Sequence, residues 1–163
     1  MIGIGRHTDY ASRIVLHLAL RGEGARATAA DIAEQGLLPR AFVRRIVGRL
    51  AAAGILRTVR GARGGVALAR PAAEISLLDI VNAMEGGLVL NPCAANPHAC
   101  PLAVHCPVQK AWVGATSGLE AHLAAVRFDR LSRTTVSRRA PPGSGRGARR
   151  SSGKRSGAAR RPG

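Results

Sequence analysis

Apolar positions recur along this chain in helical blocks separated by glycine or proline. Over residues 9–20, Tyr10, Ala11, Ile14, Val15 and Leu18 share one side of a helical wheel, while Asp9, Arg13 and His17 share a neighbouring edge. Gly22 and Gly24 end that block. Thr28 with Asp31 three positions later predicts a capping box for a short helix over Ala29–Gln35. Gly36 is expected to permit a tight turn and Pro39 to be the first residue of the next helix. In that helix, over residues 39–53, Phe42, Val43, Ile46, Leu50 and Ala53 form the apolar side, and Arg40, Ala41, Arg44, Arg45 and Gly48 fill the opposite arc. Helix, glycine turn and helix make a helix-turn-helix pattern.

The period then changes. Residues 55–59 and 66–69 read as short strands joined by the glycine-rich turn Arg60 to Gly65, a hairpin placed as a wing after the second helix, with Arg60, Arg63 and Gly64 near its tip. After Pro71, Ser76 and Asp79 predict a second capping box for a helix ending near Glu85, with Leu77, Ile80, Val81 and Met84 inward. From Pro107 to about Arg130 a longer pattern carries Val108, Trp112, Ala115, Leu119, Leu123 and Val126 as a narrow stripe, suited to a helix that crosses to a second subunit, with a helix packed on its own domain as the alternative. The expected fold is therefore mainly α with a small β-hairpin wing: a winged helix-turn-helix domain plus a long C-terminal dimerisation helix. The expected boundaries are 1–88 for the DNA-binding domain, 89–107 for a cysteine loop, 108–131 for the dimerisation helix and 132–163 for a disordered basic tail.

Charge sharpens this picture. The 163 residues carry a formal charge of +16 from 25 basic and 9 acidic side chains. Nine basic residues fall in the last 26 positions, where no acid occurs, so the first 137 residues keep 16 basic against 9 acidic groups, or +7. A polyanion is the expected partner, and double-stranded DNA is the one an arginine-faced second helix fits. Arginine holds guanine in two hydrogen bonds, and the small residues between the arginines allow close approach. Thr28, Arg40, Ala41, Arg44, Arg45, Arg60, Arg63 and Gly64 are the candidate DNA contacts. A solvated arginine face or a nucleoid-coating protein are the plainer alternatives, and the tail alone would add only salt-sensitive attraction. No nucleophile elbow, phosphate loop or paired-carboxylate arrangement points to an enzyme. The first apolar run is interrupted by Asp9, Arg13 and His17, so it reads as neither signal peptide nor membrane span, and the expected location is the cytoplasm.

All three cysteines, Cys93, Cys100 and Cys106, fall in one segment with prolines at 92, 97, 101 and 107. An odd, clustered set is a poor disulfide framework and a better set of thiolate ligands in a reducing compartment. With His98 or His105 they would complete a zinc site, although the intervals of six and five residues exceed the two-to-four spacing of a zinc knuckle.

HTDYASR near the start, LPRAFVRRIVGRLAAAGIL, VRGARGGVALARPAAEISLLDIVNAMEG and three cysteines ahead of a long helix together resemble the Rrf2 family of bacterial winged-helix regulators, over residues 6 to about 130. Within it, Thr8-Asp9-Tyr10 resembles the nitric-oxide-sensing NsrR branch more than the IscR branch that governs iron–sulfur biogenesis. The resemblance implies a homodimer that binds a partly palindromic operator, usually as a repressor, and an iron–sulfur cluster, 4Fe-4S or 2Fe-2S, held by Cys93, Cys100 and Cys106. It also points to Asp9, from the other subunit, as the completing ligand, and to nitric oxide, or redox or iron status, as the signal. Physically, three thiolates and a harder fourth ligand leave one iron open to attack by a small diffusible molecule. On the residues alone, Asp9 is equally an acid in a helix first turn, four positions before Arg13. The chain departs from the family pattern in having six rather than five residues between its first two cysteines and Val66 where an aromatic often follows the wing glycines.

Overall fold

The computed structural model describes residues 3–61, 64–96, 100–102 and 105–139. Helix α1 (Arg6–Leu20) starts one turn earlier than its apolar pattern predicts. Glu85, distant in sequence, supplies the missing cap: its carboxylate accepts the Gly5 backbone N–H at 3.2 Å and the hydroxyl of the buried Thr8. An acid at this end also opposes the helix dipole. The predicted face is the buried one, with Ala11, Ile14, Val15 and Leu18 inside and Tyr10 half-buried beside them.

Helix α2 (Ala29–Gln35) has its capping box, Asp31 N–H donating to Thr28 Oγ1 at 3.1 Å and Thr28 N–H to Asp31 Oδ2 at 3.0 Å. A cap of this kind contributes about 1 kcal/mol. The following turn differs from the prediction. Gly36 keeps an ordinary right-handed backbone, φ −83°, and Leu37 takes the left-handed conformation at φ 51°. Glycine is required at 36 for space instead, because a Cβ there would lie 2.7 Å from the Ile32 carbonyl oxygen. Pro39 is the N-cap, not the first helical residue, of α3 (Arg40–Ala52). Val43, Ile46, Val47 and Leu50 are buried, Phe42 is half-buried, and Ala53, expected inside, is exposed at the helix end.

Strands β1 (Leu56–Val59) and β2 (Gly65–Leu68) pair antiparallel from Leu56 opposite Leu68 to Val59 opposite Gly65. A third segment joins them: Ala27 and Val66 exchange backbone hydrogen bonds of 3.0 and 2.8 Å. Gly65 allows this approach, since at φ 150° a Cβ would sit 2.9 Å from the Ala27 carbonyl oxygen. The wing is thereby fastened to the entry of α2. A 3-10 turn at Ala72–Glu74 leads to α4 (Leu77–Glu85), capped by Ser76 and Asp79 as predicted. Burial pushes the Asp79 carboxyl up, but hydrogen bonds from the Ser76 backbone and hydroxyl, and Arg70 beside it, bring it below its usual value. Ile80, Val81 and Met84 are buried and Leu77 is half-buried.

The single helix expected from Pro107 to about Arg130 is two. Helix α6 (Pro107–Ala125) stops at Val126, and α7 (Phe128–Arg139) follows. The intervening segment is extended and pairs with the residues before α4, Leu77 N–H donating to Val126 O at 2.9 Å and Phe128 N–H to Ile75 O at 3.1 Å. Burial drives this break, because Phe128, 1% exposed, is among the largest fully buried side chains and joins the same core as α1, α3 and α4. Val126 therefore belongs to this clamp and not to the stripe on α6. Residues 132–139, expected in a disordered tail, continue α7, which packs on α1 with Leu131 against the core. The remainder of the expected tail, 140–163, lies outside the described residues. No described helix is long and apolar enough to cross a membrane.

Candidate nucleic-acid interface and cysteine loop

Helix α3 contains four arginines and no acid. Arg40, Ala41 and Arg44 are exposed and, with Ala29 and Ala30 of α2, line an open groove of about 310 Å³. The alanines keep its floor low, so that a backbone or base edge meets no bulky side chain before it meets the guanidinium groups. Arg45 is placed differently: its guanidinium lies 5.9 Å from the Phe42 ring centroid, and the His7 and Tyr10 rings of α1 pack at 5.2 and 6.3 Å from that same ring. Of the three predicted arginines on α3, two thus face the groove and one leans on an aromatic cluster. The contribution of Ala29 and Ala30 was not read from the sequence; their small size directly after the Thr28 cap was the available signal.

Thr28 is exposed, its hydroxyl oxygen already accepting the Asp31 amide. The Thr28 backbone N–H, which donates to Asp31 Oδ2, and the Thr28 side chain hold the Asp31 carboxyl below its usual range. On the wing, Arg60 is exposed and the half-buried Gly64 donates its N–H to Gly61 O at 2.8 Å. Arg63 lies outside the described residues.

Among the described residues, the segment between α4 and α6 forms a short helix, α5 (Pro92–Ala95), where the sequence predicts loop. Its N-cap Asn91 accepts the Cys93 N–H at 3.1 Å through Oδ1, and Gln109 of α6 donates to Cys93 O at 3.5 Å. Cys93, Cys100 and Cys106 are all free thiols and all half-buried. Cys106 is the N-cap of α6. His98 lies outside the described residues, and His105 is exposed. Among the described residues no three His, Cys, Asp or Glu side chains gather as a metal-binding group. The donor set suits an iron–sulfur cluster chemically: three unbridged thiols in one loop, partly shielded from water. Asp9 stands apart as an exposed carboxylate paired with Arg13 at 3.0 Å.

On α6 no described residue is fully buried. Val108 and Leu119 are exposed, Trp112 and Leu123 half-buried, and Pro107, Val108, Ala111, Trp112 and Ala115 line an apolar groove of about 520 Å³.

An arginine-faced second helix, a hairpin fastened beside it and a separate helix with an uncovered apolar stripe define a winged helix-turn-helix regulator. Residues 4–134 match the Rrf2 family, described as iron-dependent transcriptional regulators, and the chain belongs to that family. It is 36% identical over 107 residues to Protein aau3 of Rhizobium meliloti (strain 1021), covering 65% of this chain and 69% of that one. It is 30% identical over 92 residues to the HTH-type transcriptional regulator NsrR of Oceanobacillus iheyensis, covering 56% and 63% respectively. The solved structure of T. potens IscR shares the fold, with a TM-score of 0.70 at 20% identity over 86% of this chain and 93% of that one. The protein is a DNA-binding transcriptional regulator and not an enzyme.

Proposed function

We propose that the protein is a cytoplasmic, homodimeric repressor whose grip on a partly palindromic operator is set by an iron–sulfur cluster, with nitric oxide as the signal. The observation that carries this reading is the set of three free, half-buried thiols in the loop that joins the reading domain to α6. Arg40, Ala41 and Arg44 enter the major groove, with Arg45 beside them; Thr28, Arg60, Arg63 and Gly64 hold phosphates. The stripe of Trp112, Leu119 and Leu123 meets a second copy.

Cys93, Cys100 and Cys106 would hold the cluster, with Asp9 of the second copy as the fourth ligand; the cluster supplies an iron open to a small diffusible ligand. Asp9 must then leave Arg13, a surface ion pair that costs little to break. Released thiols leave the loop held at Cys93 through the hydrogen bonds to Asn91 and from Gln109. The start of α6 then shifts and changes the spacing of the two α3 helices. Two recognition helices must lie about one DNA turn apart, so a small change there lowers operator affinity.

The test is anaerobic purification followed by visible absorption, iron and sulfide analysis and operator binding, before and after nitric oxide. A coloured protein that loses its absorption and its operator together supports the reading. A colourless, zinc-containing protein, or a Cys93→Ala, Cys100→Ala, Cys106→Ala variant with wild-type binding and response, overturns the switch.

A further inference from the structure

Away from both the arginine groove and the cysteines lies a cavity of about 380 Å³, formed where the end of α1, the root of the wing, the segment before α4 and the start of α7 meet. Its size is that of a small-molecule site. Ala19, Leu68, Pro71 and Ala72 supply apolar wall, and Arg57, Arg70, Glu23 and Asp129 supply charge. Those four charges are not equivalent. Arg70 is committed to the Glu74 carbonyl at 2.8 Å and to Asp79 at 3.3 Å, and Asp129 is paired with Arg133 at 3.1 Å. Arg57 uses only Nε, on the Leu68 carbonyl at 3.2 Å, which fixes the guanidinium and leaves its two terminal nitrogens without a partner among the described residues. Glu23 likewise has no hydrogen-bond or ion-pair partner among the described residues.

We propose that this cavity is a binding site for a small zwitterion of the α-amino-acid class with an apolar side chain. The free face of Arg57 takes the carboxylate in a forked pair of hydrogen bonds, Glu23 takes the ammonium group, and the side chain lies on Leu68, Pro71 and Ala72. One free cation and one free anion around an apolar wall select against simple anions, simple amines and uncharged apolar molecules alike. Arg57 sits on β1, three residues before Arg60, and the cavity wall includes the first turn of α7. Occupancy therefore ties the wing root to α7.

The experiment is titration calorimetry and thermal unfolding of the full-length protein with each of the twenty L-amino acids up to millimolar concentration. Leucinamide and 4-methylpentanoate serve as probes lacking the carboxylate and the ammonium group. The expected result is saturable binding of apolar amino acids with a raised Tm, neither truncated probe binding. Arg57→Ala and Glu23→Gln should each weaken binding by about 10- to 100-fold, the usual cost of losing a charged hydrogen bond. Both side chains are exposed, and an unchanged Tm without ligand separates loss of the site from loss of fold. Absence of binding by every amino acid, equal binding of the truncated probes, or binding that survives both substitutions overturns the proposal.

Discussion

Removing the Phe128 ring tests whether the chain breaks between α6 and α7 as described. Phe128 is 1% exposed within the shared core, and its backbone N–H bonds to Ile75 O. Phe128→Ala deletes a buried ring and leaves a cavity whose collapse is resisted by α1, α4 and the clamp itself, which places the loss at about 3–5 kcal/mol. For a domain of this size that is roughly a 10–20 °C fall in Tm. Equilibrium urea unfolding read by far-ultraviolet circular dichroism at two protein concentrations, tenfold apart, measures both the loss and its origin. A ring buried in its own domain costs the same at both concentrations. A ring on one continuous dimerisation helix would instead produce a loss through subunit dissociation, so the difference between variant and wild type would change with concentration. A loss below about 1 kcal/mol, or one that depends on concentration, would refute the docking of α7.

Arg44→Ala should weaken a specific operator by about 1–3 kcal/mol and relax the base preference at one position, read by fluorescence anisotropy against a panel of single-base variants; uniform weakening across the panel would make Arg44 a phosphate contact. Leu37→Gly should stabilise the protein by about 1 kcal/mol, because Leu37 holds φ 51° while 87% exposed and so loses little packing; destabilisation in urea would show that the turn is not strained. Acid should act in two windows. Burial, with Arg21 nearby, lowers the His17 pKa despite Asp31, and its Nε2 is buried without a partner among the described residues, so the unfolded chain takes up the proton more readily. Stability from this group is complete above its ordinary 6.5 and falls as pH drops below it, whereas that from Asp31 and Asp79 is complete above their ordinary 3.8 and is lost as the pH falls from there through their lowered folded values. His17→Leu should remove the first window alone, measured as Tm against pH.

Local signals carried most of the reading domain. Both capping boxes announce themselves within four residues, and the faces of α1, α3 and α4 follow from periodicity because one side of each must be buried. What escaped was decided by partners far along the chain. The first turn of α1 depends on Glu85, the wing's third segment on Ala27 meeting Val66, and the end of α6 on Ile75 accepting Phe128. A helix continued past Val126 to about Arg130 was compatible with the local pattern, and only burial of the Phe128 ring selects the extended alternative. At the candidate site, three cysteines were legible as a cluster in sequence, while their spatial assembly is not a property of spacing.

The two ends of α6 are held in different ways, and this bears on how the proposed switch would work. At its C-terminal end Val126 and Phe128 are bonded to the strand-like residues just before α4, and Phe128 is sunk in the core. At its N-terminal end the helix continues from Cys106, and the preceding loop is fastened through side chains such as Asn91 and Gln109. Nineteen residues of helix span about 28 Å. On the proposed switch, a change in the bonding of Cys106 would act on the end of α6 farthest from the clamp, and the helix would pivot about Phe128 while the core beside α4 stayed fixed. Val108 and Trp112 would then travel most and Leu123 least, so a rearranged cysteine loop would open the apolar seam from the cysteine end without unfolding the reading domain.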